Sequence, residues 1–132
     1  MIACASKSDL AVHLWELVGT RYREGGSLPS TGFDCWGFVR YAYARAGIEL
    51  PDDVYLAGRQ FRALTHTDRR QFLDLAYFGD QTLGGRHIGI LLDDRWMLHA
   101  GQLVNGVARS ELTRPPWTQT LRGCYRHALL DH

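Results

Sequence analysis

The sequence has few of the features that mark several large classes of protein. Only three of its 132 residues are cysteines, Cys4, Cys35 and Cys124, and no two of them are closely spaced. Since a disulfide framework needs an even set of cysteines, this odd count predicts free thiols in a reducing compartment. The formal net charge is only +1, so there is no general electrostatic attraction to nucleic acid or to an anionic membrane.

Long apolar runs are also missing. No stretch approaches the roughly 20 apolar residues of a membrane span, so we expect no membrane insertion. The first residues, Met1 to Lys7, lack a basic leader followed by an apolar core, which predicts no secretory signal and synthesis in the cytoplasm. With no repeat or linker and 45% hydrophobic residues, residues 1–132 are predicted to form a single domain.

Helical periodicity appears mainly in the first half of the chain. Three segments have it: Asp9–Val18 with Ser8 or Asp9 as its cap, Cys35–Ala46, and Val54–Leu64. The second segment is the most informative, because Asp34 can cap it and Gly47 can close it. Cys35 is then the first residue of a helix, and its thiol faces the core.

Strand patterns dominate the rest of the chain. They cover Leu73–Phe78, His87–Leu92, Arg95–His99, Gly106–Leu112 and Leu121–Arg126. Helices followed by a run of antiparallel strands predict an α+β fold.

His87 and His99 lie on two neighbouring predicted strands, and the turn between them decides whether they meet. A two-residue turn at Asp93 and Asp94 would place His99 opposite Ile88, with the two imidazoles on opposite faces of the sheet. A three-residue connection centred on Asp93 would place His87 directly opposite His99, with their Cβ atoms roughly 5 Å apart. Joint action of the two histidines therefore requires the odd-numbered connection.

These residues are the components of a cysteine nucleophile. The positive end of the helix would lower the pKa of the Cys35 thiol, and His87 could take its proton to give a thiolate–imidazolium pair. His99 would then orient His87. The backbone N–H of Cys35 and the hydroxyl of Tyr22 are candidates for stabilising an oxyanion.

Other interpretations of the same residues remain open at this stage. A buried cysteine is often a small core residue, and a histidine in a strand is often only packed or hydrogen-bonded. One cysteine and two histidines could also bind zinc, although the chain has no close pair such as C-x-x-C.

Six segments, in order, resemble the NlpC/P60 family of papain-like cysteine peptidases. They are Gly19–Gly26 (G-x-x-Y-x-x-G-G), Phe33–Val39 (F-D-C-S-G-F-V), Gly47–Pro51 (G-I-x-L-P), Asp74–Phe78 (D-L-V-F-F), His87–Ile90 (H-V-G-I) and Met97–Ala100 (F-I-H-A). Together they cover most of the chain. The resemblance implies a papain-like fold with N-terminal helices packed on a central antiparallel sheet.

The resemblance also implies an activity. Cys35 would be the nucleophile, His87 the general base and His99 the third member of the triad, with no metal or cofactor. The substrates would be the stem peptides of bacterial peptidoglycan, typically cut between D-Glu, through its γ-carboxyl, and a diamino acid. Tyr22 would lie near the nucleophile, and Asp34 matches a family aspartate associated with the free amine of the stem peptide.

Trp36 departs from the family pattern, which usually has serine after the nucleophile. A bulky indole predicts a narrowed or reshaped substrate site. A large aromatic residue here is similar to family members from phage tails and prophages, which implies delivery to the cell wall by a tail-like or secretion apparatus. Arg86, beside His87, is predicted to line the cleft and meet a substrate carboxylate, or else to be a solvated surface residue.

Two alternatives belong to other functional classes. One is a catalytically silent tail or assembly protein that keeps the fold, and the other is a papain-like acyltransferase or amidase with another substrate. The presence of Cys35, His87 and His99 together argues against the silent protein. The order of the cysteine before both histidines argues against the circularly rearranged acyltransferases.

Overall fold

A six-stranded antiparallel sheet forms the centre of the protein, which a computed structural model describes for residues 6–80 and 85–131. In chain order the helices and strands are α1 (Lys7–Glu16), β1 (Ser27–Leu28), β2 (Gly32–Phe33), α2 (Cys35–Arg45), α3 (Val54–Ala57), β3 (Phe61–Ala63), β4 (Leu75–Asp80), β5 (Gly85–Leu91), β6 (Trp96–Gly101), β7 (Gly106–Glu111), α4 (Trp117–Thr120) and β8 (Leu121–His127). The strand order across the sheet is β3-β8-β4-β5-β6-β7.

Two apolar clusters cover the sheet. The larger cluster joins buried residues of α1 and α2 to the sheet, among them Leu14, Phe38, Ile88 and Ile90. The smaller cluster contains side chains that point to the opposite face of the sheet, such as Phe78, together with residues of the segment that includes α4. The predicted α+β class, with N-terminal helices on an antiparallel sheet, is therefore confirmed. None of the helices in residues 6–80 and 85–131 is long and apolar enough to cross a bilayer.

The start of α2 is fixed by its cap and by close backbone packing. The Asp34 carboxylate accepts a hydrogen bond from the Gly37 N–H at 2.6 Å, as the predicted cap requires. A Cβ on Gly37 would lie 1.9 Å from the carbonyl oxygen of Gly26, so only glycine allows this loop to approach the first turn. Because the helix begins there, Cys35 is its first residue.

Two helix predictions differ from the structure. The first helix begins two residues earlier than expected, because the Ser6 hydroxyl caps it by accepting from the Asp9 N–H. The predicted helix Val54–Leu64 is wrong beyond Ala57: a 3-10 turn follows, and Phe61 starts β3, which pairs with β8. Pairing with a distant strand overrides the local helical pattern, and Leu56 in the short helix that remains is 50% exposed.

The five predicted strands are all present, with ends within two residues of the expected positions. In the hairpin that carries the histidines, Ile90 lies opposite Leu98. The Leu92 N–H donates to the Trp96 carbonyl, so the connection has three residues and is centred on Asp94. The odd-numbered connection is thus confirmed, but its predicted centre on Asp93 is wrong by one residue.

The side chain of Asp93 explains this turn. Its carboxylate accepts hydrogen bonds from the backbone N–H groups of Arg95 and Trp96 at 2.9 and 2.8 Å, which closes the loop around Asp94. This register places His87 two residues away from the position directly opposite His99. The two histidines share a face of the sheet as diagonal neighbours.

Candidate active site

Cys35 lies half-buried at the N-terminus of α2 and lines a cavity of about 430 Å³. Burial and the nearby Asp34 carboxylate raise the pKa of its thiol, while the backbone N–H groups of Ile88, Trp36 and Cys35 itself act in the opposite direction. The net direction is upward, so the expectation of a thiol pKa lowered by the helix end is wrong. The helix end stabilises the thiolate, but desolvation outweighs it.

His87 and His99 form a hydrogen-bonded pair next to this cavity. The Nε2 atom of His87 lies 2.8 Å from Nδ1 of His99, and the other nitrogen of His99, Nε2, lies 2.7 Å from Oγ of Ser110. His87 lines the cavity together with Cys35, whereas His99 is fully buried behind it. The structure therefore joins three polar side chains into a chain that ends at the wall of the cavity.

Two glycines make room for this diagonal contact. A Cβ on Gly101 would lie 3.1 Å from Cε1 of His87, and a Cβ on Gly89 would lie 3.2 Å from the Cβ of His99 and 2.7 Å from Sδ of Met97. Without side chains at these positions, the His87 ring can extend toward His99 across the ladder.

Both imidazoles are buried against an aromatic ring. Trp117 packs against them, with its ring centroid 5.6 Å from that of His87 and 4.8 Å from that of His99. Burial lowers the pKa of His87 to about 4 and, together with the neighbouring His87, lowers that of His99 to about 3. Burial therefore favours the neutral form of both rings and of the Cys35 thiol.

Ser110 was missed by the sequence analysis. It lies on β7 opposite Met97, diagonal to His99, which pairs with Ala108. The only local signal is that Ser110 interrupts the apolar pattern of its strand. Its hydrogen bond to His99 depends on the β6–β7 register, which cannot be predicted from the sequence pattern.

Tyr22 and Asp34 lie on the chain segments that lead to Cys35. Tyr22 forms an isolated parallel β-bridge with Phe33. Burial and the charges of Asp34 and Cys35 raise the pKa of its hydroxyl. The two oxygens of the Asp34 carboxylate accept from the backbone N–H groups of Gly37 and Gly25 respectively. Asp34 therefore supports the loop and the helix.

Trp36 and Arg86 line the cavity beside Cys35. The indole N–H of Trp36 donates to the Pro51 carbonyl at 3.1 Å, which fixes the ring against the wall. The guanidinium of Arg86 lies 4.9 Å from the centre of the Tyr55 ring. These contacts place an indole and a cation within reach of one bound molecule.

The described residues, 6–80 and 85–131, offer no set of ligands for the zinc site considered above. These residues contain no group of three or more histidine, cysteine, aspartate or glutamate side chains that could hold a metal ion. His87 and His99 use a nitrogen each to contact one another.

A thiol at a helix N-terminus beside an imidazole pair on an antiparallel sheet defines a papain-like domain. The NlpC/P60 family model matches residues 19–126. The chain belongs to the NlpC/P60 family.

Similar proteins include two bacterial endopeptidases. The probable endopeptidase p60 of Listeria innocua is 34% identical over 108 residues, which are 80% of this chain and 22% of that protein. The bifunctional muramidase/DL-endopeptidase CwlT of Bacillus subtilis is 34% identical over 107 residues, which are 78% of this chain and 31% of that protein. The chain thus spans only about a fifth to a third of these relatives.

Solved structures share the fold. A crystal structure of an NlpC/P60 family protein from Bacillus cereus superposes with a TM-score of 0.78 at 26% identity, covering 96% of this chain and 41% of that one. The predicted papain-like NlpC/P60 architecture is therefore confirmed.

Proposed function

We propose that the protein is a cysteine endopeptidase that hydrolyses peptide bonds in bacterial peptidoglycan stem peptides, between γ-D-Glu and the diamino acid. The observation that carries this proposal is Cys35 at the start of α2, lining one cavity with a His87 that is hydrogen-bonded to His99. The names of the relatives, among them a peptidoglycan DL-endopeptidase, support peptidoglycan as the substrate.

The hydrogen-bonded chain supports Nδ1 of His87 as the nitrogen that acts as the base. The Oγ atom of Ser110 can accept a hydrogen bond from Nε2–H of His99, which leaves Nδ1 of His99 to accept a hydrogen bond from Nε2–H of His87. His87 then has an unprotonated Nδ1 for the Cys35 thiol. His99 and Ser110 act as positioning residues, because they fix the tautomer and the ring plane of His87 without touching the substrate.

Hydrolysis then proceeds in two steps from a neutral pair. Proton transfer from the Cys35 sulfur to His87 accompanies attack of the sulfur on the carbonyl carbon, and the oxyanion meets backbone N–H groups at the start of α2 and the Tyr22 hydroxyl. The His87 proton moves to the leaving amine, which departs and leaves a thioester. Water, deprotonated by His87, then releases the acid and restores the thiol.

Gly101→Ala tests whether catalysis depends on the diagonal histidine pair. The new methyl group would lie 3.1 Å from Cε1 of His87, so the ring must move by a few tenths of an ångström. We expect kcat to fall by roughly tenfold, since misplacement by about 1 Å can cost about 100-fold, with only a small change in melting temperature. Muropeptide kinetics and thermal unfolding measure the two effects.

Gly79→Ala is the matched control for this change. Gly79 also lies in a strand of the sheet, where a new methyl group would meet only ordinary contacts, 3.5 Å from the Arg122 side chain. If Gly101→Ala kept the kcat of the Gly79→Ala variant, the positioning role of the histidine contact would be wrong.

The bond that is cut tests the proposed function directly. Purified protein and its Cys35→Ser variant are incubated with muropeptides that contain tri- and tetrapeptide stems, and the products are identified by mass spectrometry. We expect L-Ala-D-Glu on one fragment and a new diamino-acid amino terminus on the other, with the wild type only. Absence of any Cys35-dependent product would favour a catalytically silent protein, and transfer of an acyl group to an added amine would favour an acyltransferase.

We further propose that a phage tail or secretion apparatus delivers this activity to the periplasm or cell wall after synthesis in the cytoplasm. The support is the similarity of Trp36 to the aromatic residue of tail-associated family members. The hydrogen bond from the Trp36 indole to the Pro51 carbonyl holds this residue in the wall of the cavity. Co-purification of the protein with intact tail-like particles, or its failure to do so, tests this proposal.

A further inference from the structure

Arg86 supplies positive charge to the cavity beside Cys35. Among the described residues that line this cavity, Arg86 is the only one with a permanent charge, and none is an aspartate or a glutamate. The ion pairs formed within residues 6–80 and 85–131 use other arginines, and none of them includes Arg86. The guanidinium is therefore available to a negatively charged group of a bound substrate.

The position of Arg86 on its strand brings this cation close to the nucleophile. Arg86 and Ile88 are two residues apart on β5, so their side chains leave the same face of the sheet roughly 7 Å from one another. The backbone N–H of Ile88 lies close enough to the Cys35 sulfur to oppose the rise of the thiol pKa. A carboxylate paired with Arg86 would thus belong to a group next to the bond that Cys35 attacks.

Tyr55 fixes the orientation of the guanidinium at the rim of the cavity. Its ring is 68% exposed, and the guanidinium carbon of Arg86 lies 4.9 Å from the ring centre. A guanidinium that stacks through its face keeps N–H groups free at its edge, where two of them can bind one carboxylate. An amide in the same place would offer a single acceptor oxygen and would turn its own N–H donors toward those of Arg86. Such a site distinguishes a carboxylate from the corresponding amide.

The bond proposed for cleavage has a carboxylate on its acyl side. In a γ-linked D-Glu, a short aliphatic chain joins the α-carboxylate to the scissile carbonyl and keeps the two groups within roughly 5 Å of one another. The methylene groups of this chain can lie against the apolar walls of the cavity. On the amine side, the side chain of the diamino acid carries an ammonium group, for which the described lining offers no carboxylate. The charge of the cavity therefore fits the D-Glu half of the substrate.

We propose that Arg86 determines specificity by binding the free α-carboxylate of the D-Glu residue, so that stem peptides with D-isoglutamine at this position bind more weakly. This inference rests on the proposed function for the identity of the scissile bond. Recognition of the carboxylate requires only binding, so it can be measured on a protein that does not cleave.

Two peptides that differ in a single group test the proposal. The Cys35→Ala protein is titrated with N-acetyl-L-Ala-γ-D-Glu-L-lysinamide and with the same peptide containing D-isoglutamine, and binding is followed by NMR. The α-carboxylate is the only anionic group of the first peptide and is an amide in the second, so a difference in affinity comes from this group alone. We expect the acid to bind at least about tenfold more tightly, as a hydrogen bond to a charged group does. The difference should shrink at high salt.

Variants in the same background assign this preference to Arg86. Arg86→Met keeps an unbranched side chain but removes the cation, and it is expected to weaken binding of the acid alone until the two affinities are equal. Tyr55→Leu keeps the cation but removes the ring that orients it, so the preference should fall severalfold. Arg109→Met is the matched control, because Arg109 is an exposed arginine stacked 4.0 Å from the centre of the Trp96 ring but outside the cavity lining. It should keep the full preference.

Two results would overturn the inference. One is equal affinity of the Cys35→Ala protein for the acid and the amide, and the other is a loss of affinity in Arg86→Met that is the same for both peptides. Either result leaves the proposed endopeptidase activity intact, because that activity is judged from muropeptide products. Conversely, the expected preference without cleavage of any muropeptide would support Arg86 as the carboxylate-binding residue and contradict the proposed activity.

Discussion

Replacing Cys35 by serine is expected to lower kcat for muropeptide hydrolysis by roughly 1,000-fold or more. Serine keeps the shape of the side chain, but its hydroxyl ionises far less readily than a thiol, and burial already raises the pKa of the Cys35 thiol. Burial lowers the pKa of His87 to about 4, so His87 is too weak a base to compensate for so weak an acid. The measurement is single-turnover and steady-state kinetics on a defined muropeptide.

The matched control for this substitution is Cys124→Ser. Cys124 is a buried thiol in the smaller apolar cluster and does not line the cavity. We expect this variant to lose stability, because a hydroxyl enters an apolar environment, while its kcat stays within about twofold of wild type. Cys35→Ser should show the reverse pattern, with little change in stability. Equal kcat values for the two variants would show that Cys35 is not the nucleophile.

The second large effect concerns stability and a buried ion pair. Arg126 donates from Nε and Nη2 to the two oxygens of the Asp74 carboxylate, each at 2.9 Å, and Asp74 is fully buried. The same carboxylate accepts from the Gln71 N–H, while Nη2 of Arg126 also donates to the Arg69 carbonyl. This pair ties β8 to the segment that leads into β4, and it raises the pKa of Arg126.

Arg126→Met is expected to lower the free energy of unfolding by about 3–5 kcal/mol, because it leaves the Asp74 carboxylate buried without its cation. Such a loss is a large share of the roughly 5–15 kcal/mol that stabilises a typical domain. Urea denaturation at neutral pH measures it. Arg122→Met on the same strand is the control and should cost less than about 1 kcal/mol, since Arg122 is exposed.

A double substitution distinguishes the loss of the pair from a loss of packing. Replacing Asp74 by Asn in the Arg126→Met background removes the uncompensated charge, so part of the lost stability should return. The control is Asp74→Asn alone. If adding Asp74→Asn to Arg126→Met lowers the free energy of unfolding by as much as Asp74→Asn does in the wild-type protein, the two residues are not coupled and this account of the buried pair is wrong.

Local signals were sufficient where a segment forms its own structure. The helix α2 was predicted from Asp34 before it and Gly47 after it, and the structure has the Asp34 cap bond and a positive φ of 85° at Gly47. The helix predicted over Val54–Leu64 failed because residues 61–63 pair with residues 125–127 of β8, which come more than 60 positions later. A helical apolar pattern over so few residues does not reveal such a partner.

The hairpin shows an intermediate case. Alternation along β5 and β6 predicted that His87 and His99 share a face only with an odd-numbered connection, and the connection has three residues. Its centre on Asp94 depends on the hydrogen bonds that Asp93 makes to the following backbone, which composition alone does not specify. The resulting diagonal contact also requires the missing side chains at Gly89 and Gly101.

The sequence by itself determined the family, the α+β order of helices and strands, and the candidates Cys35, His87 and His99, because motifs and short-range periodicity are local properties. Only the tertiary structure decided that Ser110 ends the histidine chain, that burial raises the thiol pKa, and that Trp36 and His87 line one cavity with Cys35. These features depend on strand register and on which surfaces lose contact with water, and both are set by residues that lie far apart in the chain.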